Sequence, residues 1–182
     1  FTDEQKAFRE QVLKFSQKEL APLAEGADWK GEFCWEAWRK MGGFGLLGLT
    51  YPEAFGGSGS DVVTACLAGE AVGQGGAEGG LCLAWGAHTY LCGDTILRHG
   101  NEEQKKKYVP KIASGEWVGA MGLTEPGAGS DAASVRTTAA RKGDTYYLNG
   151  TKMFITNGPI ADVMVIIAVT DREKIMRRLN LV

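Results

Sequence analysis

The stretch Met121-Gly-Leu-Thr-Glu-Pro-Gly-Ala-Gly-Ser-Asp131 separates two parts of the sequence that carry different hydrophobic patterns. Before it, apolar residues recur at helical spacing, and after it they form short runs typical of strands. The stretch itself combines glycines, a proline, two hydroxyls and two carboxylates, which is typical of a loop. Helices followed by strands predict an α+β fold with two segregated units.

Residues 1–117 are predicted to form an all-α domain. Thr2 and Gln5 fit a capping box at the start of the first helix, and we expect that helix to end near Leu20 because Pro22 follows. Its predicted buried face consists of Phe8, Val12, Phe15 and Leu20. Further helices are expected at residues 34–40 (ended by Gly42 and Gly43), at 62–72 (capped by Asp61), at 81–98 and from Asn101, with Pro110 opening or interrupting another.

Residues 118–171 are predicted to form a second, strand-rich unit. Lys142-Gly-Asp144 and Asn149-Gly150 predict hairpin turns, which makes the strands antiparallel. The predicted strands are 134–141, 145–149, 152–156 and 163–169. Residues 172–182 form an unassigned, basic and helix-like tail.

Composition excludes several classes of protein. The 182 residues are 44% hydrophobic and 23% charged, which excludes a disordered chain. The net charge of -2 gives no reason to expect a nucleic acid or an anionic membrane as partner. The apolar run 163–169 is too short to span a bilayer. The four cysteines lack metal-site spacing, so we expect buried free thiols, no metal and a soluble intracellular protein.

Several other motifs have an ordinary structural interpretation. Gly43-Phe-Gly-Leu-Leu-Gly48 matches a dinucleotide-binding pattern, but a predicted helix precedes it, so we expect a tight apolar turn. His88 is expected to be a hydrogen-bonded core histidine, and His99 a surface residue at a helix end. The run 105–107 of lysines is expected to be a solvated helix face, with contact to an anionic ligand as the alternative.

Two segments suggest a ligand site. Backbone amides near Gly127, Gly129 and Ser130 can form a concave anion site, although an irregular structural connection is the alternative. On the predicted strand 152–156, Phe154 and Thr156 share a face that suits a flat heteroaromatic ligand. The alternative is a core phenylalanine beside a surface threonine.

Four segments in order resemble the acyl-CoA dehydrogenase family of flavoproteins. They are Gly45-Leu-Leu-Gly-Leu-Thr-Tyr-Pro-Glu-Ala-Phe-Gly-Gly57, Gly100-Asn-Glu-Glu-Gln-Lys105 with Tyr108 and Pro110, Leu123-Thr-Glu-Pro-Gly-Ala-Gly-Ser-Asp131, and Asn149-Gly-Thr-Lys-Met-Phe-Ile-Thr-Asn-Gly158. The match runs from the first helix to residue 171. The resemblance implies an N-terminal helical domain, a middle antiparallel β-barrel, which is incomplete here, and a C-terminal helical bundle.

The resemblance also implies an FAD site. The residues that match the cofactor-binding positions are Met121, Leu123, Thr124, Gly129, Ser130, Phe154 and Thr156. Thr124 would bond the pyrimidine edge of the flavin, Phe154 would pack on the ring system, and Thr156 would lie near N5. Ser130 would also contact the acyl-CoA substrate. The acyl chain would run beside the helix that begins at Leu81, with Ala84, Trp85 and His88 as its neighbours.

The implied reaction is α,β-dehydrogenation of an acyl-CoA thioester. A carboxylate removes the α-proton while the β-hydride passes to flavin N5. In this family the catalytic glutamate lies in the C-terminal domain. None of Glu70, Glu78 and Glu125 matches its motif, so no catalytic residue is assigned.

The resemblance further implies an electron-transferring flavoprotein as acceptor, a homotetramer, and a bacterial cytoplasmic or mitochondrial matrix location. Two alternatives stay open. One is an acyl-CoA oxidase or flavin monooxygenase on the same scaffold. The other is a non-catalytic acyl-CoA-binding or assembly module, because the base is absent from this chain.

Overall fold

The computed structural model describes residues 1–171 and the backbone of residues 180–181. In this part of the chain, α-helices come first and strands follow. The helices are α1 (Asp3–Phe15), α2 (Ala21–Lys30), α3 (Trp35–Phe44), α4 (Val62–Gln74), α5 (Gly79–Gly86), α6 (Asp94–His99) and α7 (Glu102–Ser114). The strands are β1 (Gly119–Gly122), β2 (Thr138–Lys142), β3 (Thr145–Asn149), β4 (Val163–Ala168) and β5 (Asn180–Leu181). Single 3-10 turns occupy Glu53–Phe55, Ala132–Ser134 and Gly158–Ile160.

The first helix continues past the point where the sequence predicts its end. A π-helical turn, Ser16–Leu20, joins α1 directly to α2. Pro22 then falls in the first turn of α2, where its missing N–H needs no partner, so it does not end the helical segment. The capping box of Thr2 and Gln5 is confirmed.

Three more helix predictions need correction. A second π-helical turn, Ala87–Gly93, divides the predicted helix 81–98 into α5 and α6. Pro110 lies inside α7 without breaking it, because one face of the helix stays buried through Val109 and Ile112. Helix α3 runs past Gly42 and Gly43 to Phe44, and the Gly45 that follows adopts the left-handed conformation.

The strands form two small sheets. β1 pairs with β4 in parallel, with Gly119 opposite Val163, and β4 pairs with β5 antiparallel. β2 and β3 form an antiparallel hairpin whose turn contains Gly143 at a φ of 62°. The α+β class is confirmed, with no closed barrel among the described residues. The parallel β1–β4 pair differs from the antiparallel expectation because β1 and β4 are far apart in sequence rather than joined by a turn.

Segment 152–156 does not form the strand that the sequence predicts. Among the described residues, β3 pairs only with β2, so Asn149-Gly150 is not a hairpin turn. The backbone at Gly150 passes so close to Thr137 that a Cβ at residue 150 would overlap the Thr137 side chain. This crossing turns the chain away from the hairpin and toward the loop after β1.

The helical core and the strands meet around β1. The apolar face predicted for the first helix is confirmed, since Val12 and Leu20 are buried and Phe8 and Phe15 pack against the same cluster. A second cluster combines Tyr51 with side chains of α7 and β4. A division of the chain at residues 117 and 118 stays a prediction. Of the predicted tail, residues 172–179 and 182 lie outside the described residues, and the backbone of 180–181 is a strand.

The cysteines are free thiols, but burial is uneven. Cys92 is buried, Cys34 and Cys82 are half-buried, and Cys66 is exposed, so the expectation of four buried thiols is wrong for Cys66. In the part of the chain that the structure describes, no helix combines the length and the apolar character needed to cross a membrane.

Candidate functional site

The loop after β1 folds back on itself in a tight turn. The Glu125 amide donates to the Ala128 carbonyl at 2.8 Å, and the Ala128 amide donates to the Glu125 carbonyl at 3.1 Å. Upstream of this turn, the side chains of Met121 and Leu123 are partly buried against the second core cluster. Pro126 and Gly127 at the tip are exposed, which suits a turn that presents its backbone to solvent.

Beyond the turn the loop backbone is open. A Cβ placed on Gly127 or Gly129 would meet no atom within 4 Å, and Gly129 and Ser130 are exposed. These positions therefore leave the peptide groups accessible to a ligand, as the sequence suggests. The nearby Asp131 carboxylate is held by the Ser134 hydroxyl, so it belongs to the loop structure.

Glu125 is the buried polar centre of the site. Its carboxylate accepts hydrogen bonds from the backbone amides of Arg136 at 2.6 Å and Thr137 at 2.9 Å. It also accepts one from the ammonium of Lys152 at 2.8 Å. Burial alone would raise the pKa of Glu125, but the hydrogen bonds from Lys152, Arg136 and Thr137 prevail and bring it to about 2.

Lys152 connects two segments that are distant in sequence. Its ammonium donates to the Leu123 carbonyl at 2.8 Å in addition to the Glu125 carboxylate. One residue later, the Met153 amide donates to the Thr124 carbonyl at 3.0 Å. The two motif segments suggested by the sequence, 121–131 and 149–158, are therefore held side by side.

Phe154 follows this junction with its ring in solvent. Its backbone adopts the left-handed conformation with a φ of 57°, and 85% of the residue is exposed. The sequence-based picture of a strand face shared by Phe154 and Thr156 is wrong, because no strand forms there. The ordinary alternative, a core phenylalanine, is also wrong. An exposed aromatic residue in the left-handed conformation is uncommon, so Phe154 marks a candidate surface for ligand contact.

Thr156 lines a cavity between the segment 156–160 and the helices α2 and α5. The cavity has a volume of about 340 Å³ and is also lined by Asp28, Phe33, Glu78 and Ala84. Asn157, the next residue, has a φ of 65° and is buried. Its amide group donates to the Ala84 carbonyl at 2.9 Å and to the Gly119 carbonyl at 3.0 Å, so it joins α5 to β1.

His88 is a buried structural residue, as predicted. Its Nδ1 accepts a hydrogen bond from the Gly119 amide at 2.9 Å, while its Nε2 lies 2.9 Å from the Ile112 carbonyl. The ring is therefore neutral, with the proton on Nε2. Burial lowers the pKa of His88 to about 4, against an opposing effect of the Ile112 hydrogen bond. Because it is fully buried, His88 does not line a surface that could receive an acyl chain.

The other two residues predicted beside the acyl chain face different cavities. Ala84 lines the cavity of Thr156, and Trp85 lines a separate cavity of about 400 Å³ together with Cys66 and Tyr90. The same helical segment exposes Leu83 and Leu91, at 64% and 49%. These two exposed leucines lie eight residues apart, one in α5 and one in the following π-helical turn.

The remaining motifs have structural roles. The segment 43–48 ends α3 and turns into the core, with helix rather than strand before it, so it lacks the context of a dinucleotide site. His99 is exposed at the end of α6. Lys106 and Lys107 are exposed, as expected for a solvated helix face, whereas Lys105 is half-buried and pairs with Glu102 at 3.0 Å.

Lys152 and Asn157 are the main polar residues that sequence reasoning does not single out. Both lie in the quoted segment 149–158, yet their roles depend on partners 27 to 73 residues away. The segment also contains Asn149, Thr151 and Thr156, so polarity alone does not distinguish Lys152 and Asn157, and their partners become visible only after folding.

Two family models match successive parts of the chain. Residues 2–116 match the model of the acyl-CoA dehydrogenase N-terminal domain, and residues 120–182 match that of the acyl-CoA dehydrogenase middle domain. The mitochondrial isovaleryl-CoA dehydrogenase of Bos taurus is 47% identical over 171 residues, which is 93% of this chain and 40% of the relative.

Solved structures show the same similarity. The butyryl-CoA dehydrogenase of Megasphaera elsdenii superposes with a TM-score of 0.89 and 36% identity, covering 100% of this chain and 48% of that one. The FAD complex of PigA superposes with a TM-score of 0.90 and 33% identity, covering 94% of this chain and 45% of that one. The chain thus spans less than half the length of these similar proteins.

Proposed function

Since the chain belongs to the acyl-CoA dehydrogenase family, we propose that it is part of a longer enzyme that dehydrogenates an acyl-CoA thioester between Cα and Cβ with FAD. The observation that carries this proposal is the junction of segments 121–131 and 149–158. There the Met153 amide bonds the Thr124 carbonyl, immediately before the exposed Phe154. The similarity to the FAD complex of PigA supports the choice of cofactor.

The residues at this junction fit a flavin. Phe154 presents an aromatic plane to solvent, and the open backbone at Gly127 and Gly129 leaves room for a ligand to approach. Aromatic packing on one side with hydrogen bonds at the ring edge is the recognition that a flat heteroaromatic cofactor needs. The residues proposed to hold FAD are Met121, Leu123, Thr124, Gly129, Ser130, Phe154 and Thr156.

When bound, FAD supplies a two-electron acceptor for the β-hydride. The chain's own residues bind and orient the cofactor and the substrate. Thr124 offers its hydroxyl to the edge of the flavin, and Ser130 also contacts the thioester substrate. Thr156 contributes a hydroxyl within the cavity that reaches α5. Positioning of this kind accounts for much of the rate enhancement in cofactor enzymes.

The proposed general base lies outside this chain. Glu70 pairs with Arg9 at 3.3 Å, and Glu78 caps α5 by accepting from the amides of Gly80 and Leu81. Glu125 pairs with Lys152, and its pKa of about 2 makes it a poor proton acceptor. Since all three carboxylates have structural partners, another part of the complete protein would remove the α-proton.

A short or branched acyl chain is the proposed substrate class. The bovine relative is named for isovaleryl-CoA and the Megasphaera structure for butyryl-CoA. We propose that the acyl chain lies along α5 and the following π-helical turn, against Leu83, Ala84 and Leu91. Two of these side chains are exposed apolar groups whose burial by a ligand is favourable.

The remaining features of the proposal concern the cellular context. We propose an electron-transferring flavoprotein as the electron acceptor, a homotetrameric assembly, and a bacterial cytoplasmic or mitochondrial matrix location. The division into residues 1–117, a partial middle domain at 118–171 and a separate segment 172–182 belongs to the same proposal.

The test is to purify the complete protein and titrate it anaerobically with isovaleryl-CoA and butyryl-CoA. We expect bound FAD and bleaching of its visible absorbance by at least one thioester. Phe154→Ala should weaken FAD binding, whereas Tyr147→Ala, which removes an exposed aromatic ring on β3, should not. Protein without flavin overturns the proposal. Oxygen consumption without another acceptor identifies an oxidase instead.

A further inference from the structure

We propose that Lys152 and Glu125 are positioning residues whose buried ion pair fixes the segment bearing Phe154 and Thr156 against the loop bearing Thr124. This inference rests on the proposed function, because it assigns the pair to holding the two halves of the flavin site in one geometry. Neither side chain is proposed to touch the flavin.

The pair joins three segments. Lys152 donates to the carbonyl of Leu123 and to the carboxylate of Glu125, and Glu125 accepts the amides of Arg136 and Thr137. The Glu125 carboxylate therefore joins the loop after β1, the residues before β2 and the segment that contains Phe154. Only 10% of the Lys152 side chain and 6% of the Glu125 side chain are exposed.

The aliphatic part of Lys152 passes close to the backbone of Gly122. A Cβ on Gly122 would lie 3.3 Å from the Lys152 Cγ and 2.9 Å from the Ile166 Cδ1. The absence of a side chain at position 122 thus lets the lysine stem pass across β1 to reach its partners. The contacts of the Lys152 ammonium and aliphatic chain, together with the Met153 amide, fix the position of the backbone at residue 154.

Stability alone does not account for a buried ion pair. Taking both charges out of water opposes their attraction, and uncharged pairs of similar volume often match the stability of such a pair. A buried pair does, however, permit few alternative arrangements, because each displaced charge would lose its partner. A site built from two segments that are distant in sequence requires a fixed relative position of the two segments. Small displacements of either one reduce the affinity for the ligand and the reaction rate.

The experiment replaces the pair in the complete protein by uncharged residues of similar size, Lys152→Met with Glu125→Gln. We expect the flavin-free protein to fold with a lower melting temperature, because glutamine offers only one acceptor oxygen to the amides of Arg136 and Thr137. Methionine also leaves the Leu123 carbonyl without its donor. The dissociation constant for FAD should rise by about 10-fold or more, and the visible spectrum of the bound flavin should shift. Lys152→Arg, which keeps the charge, should recover part of the affinity and the spectrum.

A second measurement does not depend on flavin. Phe154 is exposed, so chymotrypsin can reach the bond after it, and cleavage of the flavin-free protein reports how firmly the segment is held. We expect faster cleavage in the double variant. The matched control removes an exposed ion pair on α1, Lys6→Met with Asp3→Asn, where the charges lie 3.0 Å apart. It should leave affinity, spectrum and cleavage unchanged.

The outcomes separate this inference from the proposed function. Wild-type protein that binds no FAD overturns both. Wild-type protein that binds FAD, with a double variant of equal affinity, spectrum and cleavage rate, overturns only the positioning role. A double variant that fails to fold also overturns it, because the pair would then be purely structural.

Discussion

At the scale of single residues, buried polar side chains connect the helices to the strands through hydrogen bonds. His88 shows this most clearly, because both ring nitrogens bond backbone groups of other elements, Ile112 in α7 and Gly119 in β1. Its ring also packs edge-on against Trp38 at 4.7 Å between centroids. A histidine in such a place is held neutral, and its protonation would break the hydrogen bond that Nδ1 accepts.

A pH dependence follows from this environment. The pKa of His88 is about 4 in the folded protein, below the ordinary value of 6.5, so the unfolded chain binds the proton first as pH falls. The free energy of unfolding should therefore decrease between about pH 6.5 and pH 4, by up to about 3 kcal/mol. Urea denaturation across this range measures the effect.

The control variants for this measurement are His88→Gln and His99→Gln. His88→Gln should be less stable at neutral pH and should lack this part of the pH dependence. His99 is exposed, so its substitution should leave the dependence intact. Equal pH profiles for wild type and His88→Gln would contradict the assigned cause. Glu125 affects the free energy of unfolding at lower pH. Its pKa is about 2 in the folded protein against an ordinary value of 4.5, so its stabilising contribution is lost only as the pH falls below 4.5.

At the scale of elements, the two π-helical turns explain departures from the simple helical pattern. Each lies in the middle of a long helical segment, at Ser16–Leu20 and Ala87–Gly93, and widens it locally. Gly93 closes the second turn against the hydroxyl of Tyr51, which donates to the Thr89 carbonyl at 2.7 Å. Glycine is required there because of close approach rather than backbone angle.

Gly93→Ala should therefore destabilise the protein. The new methyl group would overlap the buried Tyr51 ring and hydroxyl, so we expect a loss of about 1–3 kcal/mol in the free energy of unfolding. Gly73→Ala in α4 is the matched control, because its Cβ meets no atom within 4 Å. It should be neutral or stabilising by up to about 1 kcal/mol. Chemical denaturation followed by circular dichroism compares the two, and similar effects would contradict the contact.

At the scale of the whole molecule, Asn157 joins the helical domain to the strands. Its side-chain amide bonds carbonyls of α5 and β1, and its left-handed backbone redirects the chain after Thr156. Removing the amide leaves two carbonyls without this donor. Asn157→Ala should therefore lower the free energy of unfolding by about 1–3 kcal/mol.

Asn157→Gly distinguishes the hydrogen bonds from the backbone conformation. Glycine adopts the left-handed region without steric cost, so this variant removes the bonds and leaves the backbone conformation accessible. We expect it to keep most of the destabilisation, as measured by thermal unfolding followed by circular dichroism. A glycine variant as stable as wild type would show that backbone conformation, not the joint between α5 and β1, is what Asn157 provides.

Local sequence patterns are sufficient to predict the α+β order and most helix starts, and they single out segments 121–131 and 149–158, which contact each other in the structure. These depend on local rules such as the capping boxes at Thr2 and Asn101, the Gly143 turn and the amphipathic first helix, which nearby residues satisfy on their own. The parallel β1–β4 pair, the π-helical turns in both helical segments and the exposed left-handed Phe154 depend on the tertiary structure. It also brought Lys152 to Glu125 and Asn157 to Ala84. Each of these depends on contacts between residues far apart in the chain, whose free energy no local pattern contains.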